Sequence, residues 1–63
     1  MDAWLELLNK QIRKDMNQYA DDIATGQCQS FEEYKRLCGV IQGLALAERL
    51  LIDLAEKKEK ADE

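Results

Sequence analysis

The sequence predicts an all-α protein: two helices folded back as an antiparallel hairpin and assembled into a homo-oligomeric helical bundle. Three observations carry this expectation. The 63 residues contain no Pro. Apolar residues recur at steps of three and four along both halves. Near the middle, Gly26 and then Ser30-Phe31-Glu32-Glu33 mark one helix stop and one helix start.

Helix one is expected over residues 2–24. Asp2 is its N-cap, with Leu5 at the third helical position in place of the Glu or Gln that would complete a capping box. Leu5, Leu8, Ile12, Met16, Tyr19 and Ile23 draw one apolar stripe, widened at its start by Trp4 and Leu7. The opposite face carries Glu6, Lys10, Arg13, Lys14, Asn17 and Asp21. Asp21 and Asp22 fall near the helix C-terminus, where the macrodipole disfavours negative charge.

The turn is expected over residues 25–29, with Gly26 in the left-handed conformation that ends a helix. Ser30 then accepts from the Glu33 N–H while Glu33 reaches back to the Ser30 N–H, the reciprocal capping box. Helix two is expected over residues 30–58, so that 1–58 form one domain and 59–63 a frayed charged tail. At 1.5 Å per residue the helices span about 35 and about 43 Å, which leaves the charged end around Glu56 to Lys60 protruding.

Helix two has more apolar surface than one partner helix covers. Leu37, Val40, Leu44, Ala47, Leu51 and Leu54 form a heptad seam of the coiled-coil kind. A second line runs through Tyr34, Cys38, Ile41, Ala45, Ile52 and Ala55, interrupted at Glu48, and a third through Gly39, Gly43, Leu46 and Leu50. A helix that is apolar nearly all round is a buried one. Self-association is therefore expected through Leu44, Leu46, Leu50, Leu51 and Leu54, with Gly39 and Gly43 setting how closely helices approach. The alternatives are an obligate hetero-partner and a monomeric hairpin with an exposed patch. For the two glycines, the alternative is that they face bulky side chains such as Trp4 or Tyr19 within the hairpin. Trp4 itself is either a lock within the hairpin or an exposed anchor for a partner.

Composition narrows the chemistry. Nine Lys and Arg against thirteen Asp and Glu give a net charge of −4, and the pI is about 4.7. That argues against a broad basic nucleic-acid surface; a homo-oligomeric nucleic-acid-binding hairpin is the weakest alternative. Met1 is followed by Asp2 and Glu6 with no basic segment before an apolar one, so a cytosolic location is expected. The apolar run from Leu37 to Ile52 is broken by Gln42, Glu48 and Arg49, which removes a membrane span. With no His, and with Cys28 and Cys38 outside any CxxC arrangement, neither a metal site nor a structural disulfide is expected. The adjacent pairs Asp21/Asp22 and Glu32/Glu33 point about 100° apart on a helix and do not converge. No phosphate loop or dinucleotide fingerprint is present. The expectation is a non-enzymatic chain without cofactor.

Trp4-Leu5-Glu6-Leu7-Leu8, and more distinctly Ser30-Phe31-Glu32-Glu33-Tyr34-Lys35 with Cys38-Gly39-Val40-Ile41-Gln42-Gly43-Leu44, resemble a group of short helical proteins of tailed bacteriophages. Members of the group are often encoded near portal, capsid or terminase genes and mostly lack an assigned activity. The resemblance implies a virion-associated or assembly protein, found in the host cytoplasm and in the virion. A small phage-encoded inhibitor of a host protein is the alternative. No catalytic or binding residue is carried over.

Overall fold

The computed structural model describes residues 2–61. It contains two helices that pack against each other as a helical hairpin, α1 over Ala3–Ala24 and α2 over Phe31–Ala61. The molecule is a rod with extents of 50 × 17 × 12 Å, the shape of two helices side by side.

Local chemistry sets the helix ends. Asp2 caps α1 by accepting from the Trp4 N–H at 2.8 Å. At the other end Gly26 adopts φ +76°, and the Gln27 N–H donates to the Asp22 carbonyl at 2.9 Å while the Gly26 N–H donates to that of Ile23 at 3.2 Å. This is the Schellman pair of bonds. Thr25 adds a third closure, its hydroxyl donating to the Asp21 carbonyl at 2.8 Å.

At the start of α2 the Ser30 hydroxyl accepts from the Glu33 N–H at 3.1 Å. The return bond differs from the expected box: the Glu33 carboxylate accepts from the N–H of Gln29, one residue further out, at 3.2 Å. The long acidic side chain satisfies whichever free N–H the extended approach of 27–29 aims at it. α2 also runs on to Ala61, past the expected end near residue 58. No Gly or Pro stops it, and Lys58 and Lys60 in its last turn favour the macrodipole. The rest of the expected tail, Asp62 and Glu63, lies outside the described residues.

The packed seam is narrow. From α1 it takes Ile12, which is buried, with Leu5, Met16, Tyr19 and Ile23 half-buried beside it. From α2 it takes Leu37, Leu51 and Ala55, buried, with Leu44 half-buried between them. Glu48 belongs to the same line, at 8% exposure. The seam of α2 is thus Leu37, Leu44, Glu48, Leu51 and Ala55. The expected heptad seam keeps Leu37, Leu44 and Leu51, but Ala47 and Leu54 face outward and Glu48 and Ala55 take their places. A straight helix turns 100° per residue, and α1 can follow one line only. That line is the one on which Arg13 meets Glu48.

Candidate interaction surface

On the far side of α2 from this seam, roughly 140° around the helix, lies the row Gly39, Gly43, Leu46 and Leu50, joined by Leu54. All five are exposed. Leu46, Leu50 and Leu54 each leave more than 60% of their surface open. A Cβ placed on Gly39 or Gly43 would meet nothing within 4 Å. The glycines therefore do not accommodate Trp4, Tyr19 or any other side chain of the hairpin. Each nonetheless carries the cost of about 1 kcal/mol of a mid-helix glycine relative to Ala.

The residues expected to self-associate separate into two groups. Gly39, Gly43, Leu46, Leu50 and Leu54 share the outer face. Leu51 is buried and Leu44 half-buried against α1, so these two hold the hairpin together. Trp4 is 79% exposed: it does not lock the hairpin. With Leu7 and Leu8, also exposed, it makes a separate apolar patch at the start of α1.

Sequence reasoning missed two polar groups in the packed seam. The Arg13 Nε stands 2.6 Å from Glu48 Oε2. Oε2 is buried and lacks a well-aligned hydrogen bond, so charge attraction joins the two. The spacing puts Arg13 on the solvent face, but its long stem reaches across the edge of α1, the guanidinium staying largely in water. Asn9 Oδ1 is likewise buried without a hydrogen-bond partner. Its position one turn before Arg13 and next to the Leu5–Ile12 stripe was the available signal.

Around the turn, Phe31 and Tyr34 stack with centroids 6.2 Å apart, and Lys35 Nζ sits 5.4 Å from the Phe31 centroid. Cys28 and Cys38 are free thiols, both half-buried. Desolvation, followed by the nearby Glu33 carboxylate, pushes the Cys28 thiol above its ordinary value. A hydrogen bond to Cys38 does the same to the Tyr34 hydroxyl. Among the described residues, no group of three His, Cys, Asp or Glu side chains could hold a metal ion. No helix is long and apolar enough to cross a membrane.

No protein-family model matches the chain, and no curated protein or solved structure is significantly similar to it.

Proposed function

We propose that the chain is a non-enzymatic protein–protein interaction module: an antiparallel hairpin that self-associates through the outer face of α2. The observation that carries the reading is the open row of Gly39, Gly43, Leu46, Leu50 and Leu54 on the side of α2 away from α1.

The antiparallel course is supported by reach. Residues 25–30 span at most about 21 Å, whereas α1 is about 33 Å long; a parallel pair would need the connection to run back the whole length of α1.

Self-association is supported by area. The chain exposes 5169 Å², against about 4,200 Å² for a compact monomer of this mass. The excess of about 1,000 Å² is similar to the roughly 800 Å² that each partner contributes to a standard interface. Covering the three exposed leucines contributes about 1–2 kcal/mol each. The reading needs no cofactor, metal, nucleic acid or membrane.

The resemblance of Trp4–Leu8, Ser30–Lys35 and Cys38–Leu44 to segments of tailed-phage proteins supports a role in particle assembly, as a virion-associated or assembly protein made in the host cytoplasm. A host-directed inhibitor is the second reading, and the separate patch of Trp4, Leu7 and Leu8 favours it, because it offers a surface that α2 assembly leaves open. Mass spectrometry of purified particles and of eluates from a tagged chain tests the choice. The assembly reading predicts the chain in particles, or defective particles when its gene is deleted. Intact particles without the chain, and a host protein lost from eluates of a Trp4→Ala variant, would favour the inhibitor.

A further inference from the structure

The outer face of α2 is longer than its apolar centre. Continuing the row at alternating steps of four and three gives Glu32, Arg36, Gly39, Gly43, Leu46, Leu50, Asp53 and Lys57, and every one of these positions is exposed. That is an unbroken heptad line of the kind that runs along a coiled coil. It covers about 38 Å of the helix, and its order is acid, base, two glycines, two leucines, acid, base.

Reversed and laid against itself, this line is complementary at every layer. Glu32 meets Lys57 of the partner subunit, and Arg36 meets the partner's Asp53. Gly39 meets the partner's Leu50, and Gly43 meets the partner's Leu46. The flanks agree. On one side Lys35 falls opposite the partner's Glu56 and Gln42 opposite the partner's Arg49; on the other, Val40 falls opposite the partner's Ala47 and Glu33 opposite the partner's Leu54. A parallel pairing in register would instead set Glu32, Arg36, Asp53 and Lys57 each against its own copy, four layers of like charge, which disfavours that arrangement. It would also put glycine against glycine and leucine against leucine. Shifting the antiparallel pair by one heptad sets glycines against Asp53 and Lys57, or against each other.

Resting on the self-association reading, we propose that the partner of α2 is a second copy running antiparallel, related by a two-fold axis between Gly43 and Leu46. This is a self-complementary, isologous interface. Leu46 and Leu50 of each copy fill the open space over Gly43 and Gly39 of the other, which gives the two exposed mid-helix glycines a packing role. Glu32, Arg36, Asp53 and Lys57 have no ion-pair partner of their own among the described residues and acquire one across the axis.

The test uses two charge reversals on exposed positions, Arg36→Asp and Asp53→Arg, with sedimentation of each alone and of the two mixed. Each single variant sets like charges together in two symmetric layers, and self-association weakens at least about tenfold. In the mixture both layers become opposite again, so the variants associate with each other about as well as the wild type does with itself. A wild type that associates while the reversals change nothing, or while mixing restores nothing, overturns the antiparallel register and leaves self-association standing. A wild type that stays monomeric overturns both. Unchanged helical circular dichroism in the variants shows that any loss is one of pairing.

Discussion

Arg13 Nε lies 2.6 Å from Glu48 Oε2, and this contact joins α1 to α2 in a seam whose buried apolar residues are Ile12, Leu37, Leu51 and Ala55. Arg13→Ala leaves the Glu48 carboxylate in the seam without its counter-charge. Because the guanidinium is largely solvated, the loss is well below that of a fully buried pair, about 1–2 kcal/mol. Glu48→Leu removes the buried charge, extends the line Leu44–Leu51, and leaves an arginine that water already serves. It is expected to be neutral or stabilising by about 1 kcal/mol. Urea unfolding at one fixed protein concentration measures both; a strongly destabilised Glu48→Leu would show that the pair contributes more than this.

How much of this was legible in the sequence depends on the range of the interaction. Helix starts and stops are local: Asp2, Gly26 and Ser30 act on residues two to four positions away, and all three do what their side chains dictate. The choice of seam is not local. Leu37, Leu44 and Leu51 compete with Leu46 and Leu50 for the same partner helix, and periodicity alone does not rank the two rows. Glu48 reads as an interruption because burying a carboxylate is costly, and only the spatial approach of Arg13 offsets that cost. The glycines were ambiguous for a related reason: spacing places Gly39 and Gly43 on one face but does not say what that face meets.

Gly43 separates the stability of the hairpin from its assembly. With open space around an added Cβ, Gly43→Ala raises helix stability by about 1 kcal/mol in the hairpin itself. Gly43→Leu fills the space assigned to the partner's Leu46. It is expected to weaken self-association at least about tenfold, or 1.4 kcal/mol, while helical content is kept. Circular dichroism and sedimentation on the same samples distinguish this from simple unfolding.

The caps set the hairpin turn. Ser30→Ala removes the acceptor for the Glu33 N–H and is expected to cost about 1 kcal/mol. Gly26→Ala places a Cβ on a residue at φ +76° and costs about 1–2 kcal/mol. Both appear as lower urea midpoints at fixed concentration, with the slope of the transition retained.

Cys28 reports on the turn through its reactivity. Desolvation and the Glu33 carboxylate both disfavour the thiolate and push the pKa above its ordinary value, so less of the nucleophilic form is present at neutral pH than for an unperturbed cysteine. In a Cys38→Ala background, alkylation of Cys28 is expected to be slower at pH 7 than that of a free thiol and to keep accelerating to higher pH than a free thiol does. Adding Glu33→Gln moves the inflection down, because one source of repulsion is gone. An inflection below that of a free thiol would contradict the arrangement at the turn.

Sedimentation equilibrium of the wild-type chain across the micromolar range asks whether another chain covers the outer face of α2. The predicted result is a mass above the 7.3 kDa of the single chain, rising with concentration toward a whole-number multiple, and falling to the single-chain value for a Leu46→Asp/Leu50→Asp variant that remains helical. A wild-type chain that holds 7.3 kDa throughout and unfolds cooperatively at that mass would contradict it.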